Sequence, residues 1–135
     1  MTIDSSALLA MLFQEETADS VTHAVAADPR RLASAFTLLE AGLVAEARKG
    51  EAGGRELDLL VRRIGLECVP LTESLVEVAR EAWREYGKGR HPAGLNIGDC
   101  CAYALARVSG EPLLFTGDDF DRTDIPRVPL EAAPG

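Results

Sequence analysis

The chain has 135 residues, 47% of them hydrophobic and 27% charged, with 14 basic against 22 acidic side chains and a net charge of −8. That length supports one globular domain with a real core; no apolar run of about 18 residues exists to span a bilayer, and the charge disfavours nucleic acid as a partner unless a bound cation or a local basic patch reverses the sign. Three cysteines, Cys68, Cys100 and Cys101, point away from a disulfide framework and toward a reducing, cytoplasmic setting, and the N-terminus lacks the basic start and cleavage site of a secretory signal.

In chain order, a very short strand ends at Asp4 and a helix follows over 5–13 with Ala7, Leu8 and Met11 on one face. With so little chain ahead of it, this strand reads as central in a parallel sheet. A polar break at 14–16 leads to a helix over 17–27, and Asp28-Pro29 marks a turn. Arg31 to Ala33 reads as a second strand. Ser34 then caps a helix over 35–49 whose apolar stripe is Phe36, Leu39, Leu43 and Val44. Gly50 and Gly53-Gly54 open a loop before a helix over 55–64. Leu66 to Leu71 is a third strand, and Pro70 places it at an edge or at its end.

Thr72 caps a long helix to Tyr86, with Leu75, Val76, Ala79, Ala82, Trp83 and Tyr86 as its stripe. A glycine-rich loop, 87–94, precedes a helix over 97–108 that Asn96 caps and Gly110 stops. A fourth strand spans Pro112 to Phe115, and a last one lies near Val128. Strands alternating with helices specify an α/β fold. Residues 1–130 read as one domain and 131–135 as a loose tail.

Four acids stand out. Asp4, Asp99 and Asp118 fall where strands end or helices begin, and Glu40 is one turn into the helix after the second strand. In a parallel sheet these places share one edge. Each has an ordinary reading: Asp4 as a helix cap, Glu40 as half of an ion pair on an apolar stripe, Asn96-x-x-Asp99 and Thr116-x-x-Asp119 as capping boxes. Together they are costly, because two unit charges ~4 Å apart repel by ~4 kcal/mol at an effective dielectric of ~20. Protonation or a cation must relieve them. Hard oxygen donors select Mg²⁺ or Mn²⁺, and such a centre aligns water for phosphodiester hydrolysis.

These stretches resemble the PIN-domain nucleases, specifically the VapC-type toxins of bacterial toxin–antitoxin pairs. The carriers are Ile3-Asp4-Ser5-Ser6-Ala7-Leu8, Leu38-Leu39-Glu40-Ala41, Tyr86-Gly87-Lys88-Gly89-Arg90-His91, Leu95-Asn96-Ile97-Gly98-Asp99-Cys100, Tyr103-Ala104-Leu105-Ala106 and Pro112 to Phe120, with Thr123-Asp124-Ile125 after it. The resemblance implies a PIN-like three-layer α/β/α sandwich around a mostly parallel sheet. It implies an Mg²⁺-dependent endoribonuclease, with Asp4 and Asp99 as principal metal ligands, Glu40 and Asp118 completing the cluster, and Ser6 supporting Asp4. It also implies a homodimer and a cognate antitoxin. Asp118 is preferred to Asp119 as the fourth acid because Asp119 fits a cap better.

The loop residues Lys88, Arg90 and His91 are candidate contacts to RNA phosphates, or else parts of a solvated connector. Aromatic content of 5% leaves few stacking platforms. Two other functions compete. A phosphoacceptor signalling domain would need an Asp ending the middle strand, and 66–71 has none. A non-catalytic interaction module would bind neither Mg²⁺ nor RNA.

Overall fold

The computed structural model describes residues 1–131. The elements are β1 (Thr2–Ile3), α1 (Ser5–Leu12), α2 (Ala18–Ala27), β2 (Leu32–Ser34), α3 (Ala35–Arg63), β3 (Glu67–Val69), α4 (Glu73–Tyr86), α5 (Ile97–Ser109) and β4 (Leu113–Leu114). The sheet order is β3-β2-β1-β4 and every pairing is parallel. Alternation along these short strands divides the core. Ile3 and Leu114 turn to one face with Ala7, Leu8, Val21 and Leu57, while Leu32 and Leu113 turn to the other with Leu95, Tyr103 and Leu105. Helices therefore cover both faces, giving the three-layer α/β/α arrangement.

β1 is central, as its position in the sequence implies. Its buried start is tied down electrostatically: the Met1 α-amino group donates to Asp28 at 2.8 Å and Glu111 at 2.9 Å. The chain first builds outward from β1 to β2 and β3, then returns to place β4 on β1's other side. The C-terminal ends of β1 and β4 are thus a topological switch point, where open α/β sheets bind ligands.

Several sequence expectations change. The loop expected at 50–54 shrinks to one residue, Gly50, whose φ of 65° only glycine adopts easily. The two halves of α3 fold back there, with Gly42 against Leu57 and Gly54 against Glu46, so Gly53-Gly54 lie in helix. The apolar stripe on the first half does not face inward. Thr37, Ala41 and Ala45 are buried, while Leu39 and Leu43 are 56% and 61% exposed. Small residues let α3 approach α1 closely, and the larger ones are left outside. The third strand is shorter than 66–71 and is indeed an edge. Near Val128 there is a single bridge, Leu113 to Arg127, in place of a strand. Of the tail, Glu131 accepts a hydrogen bond from Ser20; 132–135 lie outside the described residues. Among the described residues, no helix is long and apolar enough to cross a membrane.

Candidate active site

Asp4 follows β1 and caps α1. Its Oδ2 accepts from the Ser6 backbone N–H at 3.1 Å and from Ser6 Oγ at 2.6 Å. Ser6 Oγ in turn accepts from the Thr116 N–H at 3.1 Å, which joins the end of β4 to this acid. The cap reading and the site reading of Asp4 are therefore compatible, and the role expected of Ser6 as a support has a direct contact behind it. Glu40 is held by Ser5, whose hydroxyl donates to Oε1 at 2.7 Å. Asp99 completes a capping box on α5: its Oδ2 accepts from the Asn96 N–H at 3.0 Å, while its own N–H donates to Asn96 Oδ1 at 2.9 Å.

Each of these three carboxylates is restrained through one oxygen, and among the described residues the other oxygen has no protein donor. None of the ion pairs among the described residues includes Asp4, Glu40, Asp99, Asp118 or Asp119. The ion-pair explanation for Glu40 thus has no partner behind it. The carboxylate of Glu40 instead lies on the Cα of Gly98, where any side chain would collide with it.

The electrostatics follow from that arrangement. Burial pushes the Asp4 carboxyl up to about 6, against the Ser6 hydrogen bonds and with help from the Glu40 charge. Burial likewise pushes Asp99 up to about 7, and the charges of Asp4, Asp119 and Glu40 add to it. Burial and the Asp99 charge push the neighbouring Cys100 thiol up to about 11. These acids feel one another, and among the described residues no side-chain cation pairs with them. The cap expected of Asp119 is absent. No helix follows Thr116, so Asp119 has nothing to cap. Asp119 contributes to the rise at Asp99, whereas exposed Asp118 accepts a turn hydrogen bond from Asp121 through its carbonyl.

The donor set fits a hard divalent cation: oxygens only, two buried carboxylates of raised pKa, and free oxygens on three acids. Among the described residues no three His, Cys, Asp or Glu side chains already form a closed ligand group. Mg²⁺ does not require one, since it commonly takes one or two carboxylates and keeps several waters.

The loop residues are placed differently from one another. Lys88 is exposed, and its N–H donates to Leu95 O. The Arg90 guanidinium lies 4.8 Å over the Trp83 ring, and its Nε donates to Arg84 O at 3.2 Å. His91 stacks edge-on against Tyr86 at 5.2 Å, and its Nδ1 accepts from the Ala93 N–H. Its ring is engaged in holding the loop together. Sequence reading misses Ser5 and Gly98. The resemblance already implies Ser6 for Asp4, and the α3 approach shows that Ser5 serves Glu40.

A PIN-domain family model matches residues 1–126. The chain is 54% identical over 130 residues to ribonuclease VapC30 of Mycobacterium tuberculosis, covering 96% of this chain and 99% of that one. In fold it is similar to VapC20 of Mycobacterium tuberculosis, described as a sarcin–ricin loop cleaving toxin, with a TM-score of 0.77 at 18% identity over 94% of this chain and 97% of that chain. It is also similar to a chain of VapBC2 from Rickettsia felis bound to a promoter DNA fragment, with a TM-score of 0.70 at 18% identity over 93% and 94% of the two chains.

Proposed function

Since this chain belongs to the PIN-domain family, and within it to the VapC ribonucleases, we propose that it is an Mg²⁺-dependent endoribonuclease and the toxin of a cytoplasmic toxin–antitoxin pair. Mn²⁺ would substitute for Mg²⁺. The observation that carries the reading is the group of mutually repelling acids at the switch point, which no side-chain cation among the described residues pairs with. A purely adhesive domain has no use for that cost, and a phosphoacceptor domain would need an Asp ending the middle strand, which 66–71 lacks.

In this reading Asp4 and Asp99 hold the metal through the oxygens their capping bonds leave free. Ser6 fixes the rotamer of Asp4, and the Asn96 N–H fixes that of Asp99. Glu40, steadied by Ser5, orients the attacking water. Asp118 or Asp119 completes the cluster, with the charge coupling to Asp99 favouring Asp119. When bound, Mg²⁺ would polarise the water and offset charge on the scissile phosphate. The outward-facing Leu39 and Leu43, each more than half exposed, support protein partners: a cognate antitoxin and a second copy of the chain. The VapB–VapC assembly of the Rickettsia felis relative supports the former.

The test is cleavage of a mixed RNA pool by the purified chain. Cleavage should require Mg²⁺ or Mn²⁺, stop with EDTA, and be lost in Asp4→Asn. Metal-independent cleavage, or full activity in Asp4→Asn, would contradict the assignment.

A further inference from the structure

Between α4 and the start of α5 runs a cleft of about 660 Å³ lined by Phe36, Val76, Trp83, Asn96, Ile97 and Cys100, with Arg80, Arg84 and Arg90 at the same surface. Its floor is apolar. The lining Cys100 and Cys101 feel the charges of Asp99 and Glu40, and Phe36 lies one turn before Glu40 on α3, so the cleft lies beside the acid cluster. Helix α4 is sorted by charge around its axis. Leu75, Ala79, Ala82 and Tyr86 are buried, Val76, Arg80, Trp83 and Arg84 face the cleft, and Glu73, Glu77, Glu81 and Glu85 recur every fourth residue along a third stripe. In a chain of net charge −8, three arginines meet at one apolar cleft. Only Arg80 among them has an ion-pair partner within the described residues, an exposed Glu77 at 3.6 Å. The chain's single tryptophan is 44% exposed there and already carries the Arg90 guanidinium on its ring.

We propose that this cleft is a substrate subsite, in which an unpaired nucleotide of the RNA takes the place of the Arg90 guanidinium on the Trp83 ring and Arg90, Arg80 and Arg84 hold the flanking phosphates. An aromatic face beside guanidinium groups is the chemistry that takes single-stranded nucleic acid, and stacking there is tolerant of base identity. The cleft accepts the strand and the acids cut it. This extends the ribonuclease reading and depends on it for the identity of the strand, although binding can be measured apart from cleavage. It also relocates RNA contact from Lys88 and His91 to α4.

The single tryptophan provides the readout. The whole chain in EDTA, where no cleavage is expected, is titrated with an unstructured oligoribonucleotide while Trp83 fluorescence is followed. Saturable quenching is expected. Arg80→Ala/Arg84→Ala should weaken binding about tenfold and lower the slope of log K against log salt by about 1.4, at ~0.7 for each phosphate no longer neutralised. Trp83→Ala, followed by loss of oligonucleotide anisotropy in place of its own fluorescence, should weaken binding about tenfold and raise KM for cleavage with little change in kcat. Trp83→Phe should restore much of both. If the chain cleaves RNA with Mg²⁺ while its fluorescence ignores RNA and both sets of variants keep the parental KM, the subsite is wrong and the nuclease stands. Quenching that responds to the arginine variants, in a chain that never cleaves, supports the subsite and removes the nuclease reading. Quenching only by an antitoxin, with RNA unable to compete, gives the cleft to a protein and overturns the proposal.

Discussion

The two ends of α5 treat a carboxylate in opposite ways. Toward its C-terminus, Asp124 is exposed and well paired: Tyr103 Oη donates to it at 2.5 Å and Arg107 at 2.6 Å. Those bonds hold its carboxyl below the usual range, and Tyr103 is pushed up in return by burial and by Asp124. At the N-terminus, Asp99 is buried, accepts one backbone N–H, and is pushed up to about 7. The acid that water could solvate has the cation, and among the described residues the acid that needs one has none. A chain arranged for stability alone would reverse this. In the proposed function, the Asp99 end of the helix is where stability is given up to activity.

The largest expected effect separates the two ends by activity. Asp99→Asn should lower RNA cleavage by about a thousandfold or more, beyond the ~10–100-fold typical of groups that only orient a metal ligand. Asp124→Asn should leave cleavage within about tenfold. The same pair should separate in the reverse sense by stability. Without metal near pH 7, Asp99→Asn should be more stable than the parent by about 1–2 kcal/mol, because it relieves a buried charge while its amide oxygen still accepts from Asn96. Asp124→Asn should lose about 0.5 kcal/mol, the scale of a surface pair. Chemical denaturation in EDTA checks both.

A second effect is pH-dependent. Folded Asp4 and Asp99 keep their protons to about 6 and about 7, whereas in the unfolded chain both ionise near 3.8. Within that window the folded state binds more protons, so raising the pH weakens the metal-free fold, by on the order of 1–3 kcal/mol after screening. Asp124 has the opposite sign. Its folded pKa is depressed, so its contribution is present above the unfolded value and is lost on acidification below it. Melting temperature against pH in EDTA should therefore fall between about pH 4 and pH 7, and Asp99→Asn should flatten that decline. A rising curve there would count against the acid cluster.

Smaller effects sharpen the site itself. Ser5→Ala and Ser6→Ala should each reduce cleavage about 10–100-fold while leaving the fold intact, as expected of groups that orient a carboxylate. Asp119→Asn should cost more activity than Asp118→Asn. On α3 one turn before Glu40, Thr37 Oγ1 is buried and has no hydrogen-bond partner among the described residues. Thr37→Val should be neutral to stabilising by about 1 kcal/mol, because it removes an unsatisfied hydroxyl at equal volume.

Much of this is legible in the residue order. Asp4 at a strand end and Asn96-x-x-Asp99 at a helix start are local patterns, and local patterns survive folding. Glu40 stands out in the sequence on a faulty ground, since the stripe it shares with Leu43 faces outward, and its site position comes from Ser5 and Gly98. Periodicity cannot tell which face of α3 the small residues bury. The same blindness assigns Trp83 to the core stripe of α4, where spacing alone groups it with Leu75 and Tyr86. The cap reading of Asp119 fails because Thr116-x-x-Asp119 only has the form of a cap, and the course of the chain shows that no helix follows.

The most direct test of the central claim is calorimetric titration of Mg²⁺ into the purified chain near pH 7, repeated in buffers of different ionisation enthalpy. Because Asp99 is still partly protonated there, binding should release protons, raise the melting temperature, and disappear in Asp99→Asn. Absence of Mg²⁺ binding, or equal binding by Asp99→Asn, would contradict a cation-centred acid cluster.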